Sequence, residues 1–129
     1  MAVENLTLVT RSGEHVIRAE IARTDDQKAL GLMFRKSVPQ GTGMLFPYGT
    51  PREITMWMRN TYVSLDMVFI GADGRVQRIE ARTEPLSETV IGSGPPAVAV
   101  LELGAGESQR MGLVPGDRVR HPMFGAAKP

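Results

Sequence analysis

Apolar and polar residues alternate in short runs along most of the chain, a pattern typical of β-strands that turn one face towards a core. The clearest run is residues 16–21, in which Ile17, Ala19 and Ile21 alternate with polar neighbours. Gly-containing turns at residues 11–14 and 71–74 predict hairpins. The predicted strands cover residues 6–9, 16–21, 44–46, 53–58, 65–70, 75–79, 97–103 and 118–121. About eight short strands at this spacing predict a mainly β sandwich or barrel.

One segment carries helix signals instead. Thr24 and Gln27 have the spacing of a capping box, in which each side chain bonds the backbone N–H of the other residue. We expect a helix from this point to about residue 34, packed on the sheet. Gly31 inside a helix costs about 1 kcal/mol relative to Ala, which close packing on the sheet would explain. The side chains predicted to face inward are Leu30, Met33 and Phe34.

Length and composition fit one globular domain. The chain has 129 residues, of which 42% are hydrophobic and 22% charged, and this predicts a soluble domain over residues 1–124 with a frayed tail at 125–129. Fifteen basic and fourteen acidic residues are interspersed, so no basic block predicts nucleic-acid binding. The chain has no cysteine, and no apolar run approaches the roughly 20 residues of a membrane span. The oligomeric state is left open.

The most unusual stretch is residues 56–70, where polar side chains interrupt an apolar run. Trp57 and Arg59 would share one strand face, with Asn60 directly after them. An aromatic ring beside a guanidinium is a common way to hold a small polar or anionic ligand. The alternative interpretation is a core Trp followed by a turn Asn. The predicted ligand site consists of Trp57, Arg59, Asn60, Asp66 and Arg23.

Asp66 lies within an otherwise apolar strand, where a carboxylate needs a cation or several N–H donors. The favoured interpretation is structural: Asp66 accepts backbone N–H groups and ties down the turn at residues 60–64. The alternative is a functional role as a ligand-binding carboxylate or a general base, with Arg23, Arg52 or Arg59 as its cation.

Other ionisable groups give weaker signals. Glu102 lies in the predicted strand 97–103 and is interpreted as the solvent-facing side of an edge strand. A pair of Glu102 with Asp66 would form a two-carboxylate site, but the sequence alone does not bring them together. His15 and His121 are poorly placed for catalysis, and we find no sequence motif for a nucleophile, a nucleotide or a cofactor.

The methionines raise the question of copper. Met56 and Met58 would place two thioethers on one strand face, and soft thioethers suit Cu(I). Methionine is also a common filler of irregular cores, and no histidine neighbours the pair. The sequence therefore predicts no metal site and no cofactor.

Several segments together resemble a known family. The runs at residues 23–35, 43–46, 56–61 and 65–70 occur in order, followed by Leu101-Glu102-Leu103 and Gly116-Asp117. The chain resembles, over about residues 15–120, the bacterial and archaeal family known as domain of unknown function 192. It departs from the family pattern at Arg59 and Ser64, where Lys and Pro are more frequent.

The resemblance implies a compact fold related to the jelly roll, with the early helix packed on it. It implies no established activity and no catalytic residues. Many members carry an N-terminal leader, so the resemblance implies a periplasmic or exported location, with a cytoplasmic one still open.

Three functional hypotheses follow. The favoured one is a non-catalytic binding or accessory module with its site near Trp57, Arg59, Asn60 and Asp66. The second is a small hydrolase or lyase with Asp66 as general base, which requires that Asp66 be partly exposed in a cleft. The third is that the whole motif is architectural and binds nothing.

Overall fold

Strands dominate the computed structural model, which describes residues 1–125. The strands of this part of the chain are β1 (Val3–Thr10), β2 (Gly13–Ile21), β3 (Thr42–Arg52), β4 (Thr55–Met56), β5 (Leu65–Ile70), β6 (Val76–Glu80), β7 (Ile91–Gly92), β8 (Ala97–Gly104) and β9 (Arg118–Arg120). The α-helices are α1 (Asp25–Leu30) and α2 (Glu107–Met111), and a 3₁₀ turn spans Pro122–Phe124. The predicted mainly β fold class is confirmed. The predicted tail, 125–129, lies outside the described residues except for Gly125.

Seven of the strands form one curled sheet in the order β6-β5-β8-β3-β2-β1-β9. Neighbours are antiparallel except β2 and β3, which run parallel. At one end the two edges meet, because Val76 N–H donates to the Asp117 carbonyl at 2.8 Å and Gly116 N–H donates to the Val76 carbonyl at 2.7 Å. The sheet is curled like a half-barrel, and β8 is an interior strand of it, between β5 and β3.

The curled sheet has a core on each face. The inner core includes residues from β1, β2, β3, β5 and β8, among them Leu6, Leu8, Ile17, Leu45, Val68 and Leu101. The outer core contains Met44, Phe46, Met67, Phe69 and Val100 from the three central strands, covered by Leu32, Ile54 and Met58. Because β5 and β8 have a core on each of their two faces, every residue of these strands is buried.

Helix α1 begins as predicted but ends early. Both bonds of the capping box between Thr24 and Gln27 are present. Gly31 ends the helix with φ +50°, a backbone conformation that favours glycine. The prediction that Leu30 and Phe34 face inward is wrong, because their side chains are 49% and 56% exposed.

Two further segments differ from the prediction. The strand predicted at 53–58 is only the two-residue β4, which pairs with β7 rather than with the curled sheet. A second helix, α2, follows β8, where the sequence predicted none; a left-handed glycine stands at each of its ends, Gly106 and Gly112.

Candidate functional site

Trp57 and Arg59 lie together on the surface, although the strand predicted to carry them ends at Met56. The Arg59 guanidinium lies 5.3 Å from the centre of the Trp57 ring, within the range of a cation–π contact. Arg59 also approaches the Glu88 carboxylate at 4.0 Å. Trp57 is 43% exposed, so the interpretation of Trp57 as a core residue is wrong.

The other predicted site residues point to separate partners. Asn60 adopts φ 53° in a turn, and its carbonyl accepts the Phe34 N–H at 2.9 Å. Arg23 donates to the Glu4 carboxylate at 2.9 Å. The contacts of these residues therefore do not assemble the five predicted residues around one point.

Asp66 is buried and fully engaged in hydrogen bonds. Its Oδ1 accepts the Arg82 N–H at 2.9 Å. Its Oδ2 accepts the N–H groups of Gly106 at 3.1 Å and Ser108 at 2.9 Å, and the Ser108 hydroxyl at 2.6 Å. With no exposed surface, Asp66 lacks the cleft that a general base requires. Its partners lie in the turn at residues 82–83 and at the start of α2, not in the predicted turn at 60–64.

Glu102 has the opposite surroundings. It lies on β8 directly between Met44 of β3 and Met67 of β5, and is only 4% exposed. The prediction that it faces solvent on an edge strand is wrong, because β8 is an interior strand paired on both sides. The nearly continuous apolar run of residues 97–103 was the signal for burial on both faces.

Within residues 1–125, Glu102 makes no side-chain hydrogen bond or ion pair. Burial alone raises the pKa of its carboxyl to about 8, because an unpaired charge is costly away from water. The carboxyl is therefore mostly protonated at neutral pH. Burial also raises the pKa of the Tyr48 hydroxyl, and the nearby Glu102 adds to that effect.

A cavity of about 340 Å³ opens above Glu102; we call it the α1 cavity, because that helix forms one of its walls. Its lining is Asp25, Lys28, Ala29 and Leu30 of α1, Gly31, Leu32 and Met33 of the following loop, Phe46 and Tyr48 of β3, Thr55, Met56, Trp57, Thr61, and Glu102. Its volume lies within the range of small-ligand sites. Glu102 forms part of its floor and Trp57 part of its rim.

The α1 cavity and Asp66 belong to different faces of the curled sheet. Residues opposite each other in register share a face, and Glu102 is opposite Met67, whereas Asp66 is opposite Leu103. The two carboxyls of the conceivable Glu102–Asp66 site thus point to opposite faces. Of the five predicted site residues, Trp57 is the one that lines the cavity.

The two methionines considered as copper ligands, Met56 and Met58, have protein partners. The Met56 sulfur accepts the Tyr48 hydroxyl at 3.8 Å, and the Met58 sulfur accepts the Thr83 hydroxyl at 3.2 Å. Among the described residues, no group of three or more His, Asp or Glu side chains is placed to hold a metal ion.

The two histidines have local partners. His15 contacts the Ser12 hydroxyl at 2.7 Å, and His121 caps the 3₁₀ turn while contacting Glu4. Neither lines the cavity. No helix in residues 1–125 is long and apolar enough to cross a membrane.

Comparison with known proteins gives a family and a fold. The family model DUF192, described as "Uncharacterized ACR", matches residues 7–121. No curated protein sequence matches the chain.

Two crystal structures are similar over nearly the whole chain. One is a protein of unknown function from Novosphingobium aromaticivorans DSM 12444, with 42% identity and a TM-score of 0.89, covering 92% of this chain and 85% of that chain. The other, from Sinorhizobium meliloti 1021, is described as a "putative transcription regulator"; it has 42% identity and a TM-score of 0.91, with 95% of each chain covered.

Proposed function

The chain belongs to the DUF192 family of uncharacterized proteins, and we propose that it is a non-catalytic module that binds a small molecule in the α1 cavity. The observation that carries the proposal is a buried carboxyl on the cavity floor that no described side chain or backbone group satisfies. Buried polar groups in folded proteins nearly always have a partner. The Glu102 carboxyl oxygens are open to the cavity rather than sealed in the core, so a ligand there can supply that partner in place of water.

The lining supports binding rather than covalent chemistry. Phe46, Met56 and Leu32 give apolar walls, while Tyr48 and Trp57 give aromatic surface and a polar edge. Ligand sites typically combine such walls with a few polar groups that fix orientation. The lining side chains include no Ser, Cys or His, and no hydrogen bond joins a possible nucleophile to a base among the Asp, Glu, Lys, Thr and Tyr side chains that are present.

The description of the Sinorhizobium protein raises the question of nucleic acid. The formal charge of +1 gives little attraction for phosphates. The helices of residues 1–125 have six and five residues, and neither carries a row of basic side chains. A small molecule is therefore the ligand class that we propose.

Fragment binding followed by NMR tests this function. With [methyl-¹³C]methionine labelling, the Met56 methyl group reports on the cavity, and we expect cavity-binding fragments to shift its signal. Ala29→Trp, which places an indole at the cavity wall, should weaken those fragments at least tenfold.

Val16→Trp is the matched control, because Val16 is 57% exposed and does not line the cavity. It should leave fragment binding unchanged. Fragments that bind both Trp variants as well as the wild type, or a library from which nothing shifts the Met56 signal, would contradict the proposed function.

A further inference from the structure

Glu102 is exceptional among the buried carboxyls of residues 1–125. Asp66 accepts four hydrogen bonds. Glu107, also buried, pairs with Arg110 at 2.7 Å and accepts the Gly41 N–H at 3.1 Å. Glu102 has no such bond and faces the α1 cavity. The other two buried carboxyls thus have hydrogen-bond partners in the protein, and the one without such partners is the one that lines a cavity.

From this placement we infer that the α1 cavity takes a small organic amine, whose ammonium group pairs with Glu102 and whose apolar part lies against Phe46, Tyr48 and Met56. The inference rests on the proposed function and adds the chemical class of the ligand. An ammonium group carries a positive charge and only donates hydrogen bonds. It would therefore supply the Glu102 carboxylate with both the hydrogen-bond donor and the countercharge that the protein does not provide.

The aromatic rings of the cavity already contact cations of the protein itself. The Lys28 ammonium and the Arg52 guanidinium lie 4.8 Å and 4.9 Å from the centre of the Tyr48 ring, and the Arg59 guanidinium lies 5.3 Å from that of Trp57. Lys28 Nζ also donates to the Arg23 carbonyl at 3.4 Å. The attraction for a ligand ammonium therefore comes from Glu102, and the rings supply apolar surface.

Pairing with an ammonium ion requires the carboxylate form of Glu102. The ionisable side chains that line the cavity with it are Asp25, Lys28 and Tyr48, and the strand neighbours in register, Met44 and Met67, carry no charge. Because Glu102 holds a proton at neutral pH in the free protein, binding an ammonium ion displaces that proton. A neutral ligand leaves the proton in place.

Calorimetry with three probes of matched shape tests the inference: phenethylamine, 2-phenylethanol and phenylacetate at pH 7, each in two buffers of different ionisation enthalpy. We expect phenethylamine to bind at least tenfold tighter than either analogue and to release close to one proton. From pH 6 to pH 7 its Kd should fall about tenfold, since one proton leaves on binding.

Glu102→Gln keeps the shape of the side chain but cannot ionise. It should weaken phenethylamine at least tenfold and abolish the proton release, while 2-phenylethanol binding stays unchanged. Asp26→Asn is the matched control, because Asp26 is a carboxylate of the same helix that does not line the cavity, and its loss should leave amine binding and proton release intact.

The outcomes separate the two proposals. If 2-phenylethanol or phenylacetate binds as tightly as the amine, or the amine binds without releasing a proton, the inference fails while cavity binding stands. If none of the three binds and no fragment shifts the Met56 signal, the proposed function fails and the inference fails with it.

Discussion

Two acidic residues in apolar strands have opposite roles in this chain. Asp66 is held by donors from the turn at 82–83 and from α2, whereas Glu102 is left to face a cavity. Both residues interrupt apolar runs, and the sequence distinguishes them poorly. Whether each carboxyl finds hydrogen-bond donors depends on residues that are far away along the chain. The apolar run around Glu102 was enough to predict its burial, but it did not show that its carboxyl has no hydrogen-bond partner in the protein.

Glu102 makes the stability of the protein depend on pH. Its unfolded carboxyl titrates near 4.5 and its folded one near 8, so between these values the native state holds the extra proton and stability falls as pH rises. Across this pH range the wild-type protein loses at most about 5 kcal/mol of unfolding free energy through this group. Urea unfolding should show Glu102→Gln gaining stability over the wild type between pH 5 and pH 8.

The control for this experiment has the opposite sign. Arg110 lowers the pKa of the Glu107 carboxyl, so its stabilising effect is present above the unfolded pKa and lost in acid. Glu107→Gln should therefore be less stable than the wild type at pH 8. A difference between Glu102→Gln and the wild type that stays constant from pH 5 to pH 8 would contradict the assignment.

At the scale of elements, the local signals predicted strands and α1 well. Strand β5 has the predicted bounds, and the capping box places the start of α1. The end of α1 was missed because a glycine within a helical pattern does not by itself show that the chain leaves the helix there with a positive φ. Helix α2 was missed because its five residues lack a capping side chain.

Asp66 fixes α2 to the curled sheet, since it bonds two N–H groups at the start of that helix. Asp66→Asn replaces one acceptor oxygen by an NH₂ group, which faces N–H donors and leaves at least one of them without an acceptor. The substitution should lower the free energy of unfolding by about 3 kcal/mol. Hydrogen exchange should speed up at α2, while phenethylamine affinity stays unchanged because Asp66 lies on the other sheet face.

Ser108→Ala is the milder control for Asp66→Asn. It removes only the 2.6 Å hydrogen bond from the Ser108 hydroxyl to Asp66. The free energy of unfolding should fall by about 1 kcal/mol. A loss of ligand binding in a folded Asp66→Asn protein would show that the residue serves the site directly.

On the scale of the whole molecule, the curl of the sheet creates two cores, and the outer one is incompletely filled. The covering segments, α1 and residues 54–63, leave the α1 cavity above Glu102. Sequence patterns indicated the fold class, because alternation and turns are local. They did not indicate the order β5-β8-β3, which is set by pairing between distant strands and places Glu102 on an interior strand.

The most direct test of this account is a ¹³C NMR titration of the Glu102 side-chain carboxyl from pH 4 to pH 10, assigned by the signal that Glu102→Gln removes. The account predicts a midpoint near 8 in the free protein, and a clear decrease of that midpoint when phenethylamine is bound. A midpoint near the ordinary value of 4.5 would show that Glu102 is charged and satisfied without a ligand, which contradicts the account.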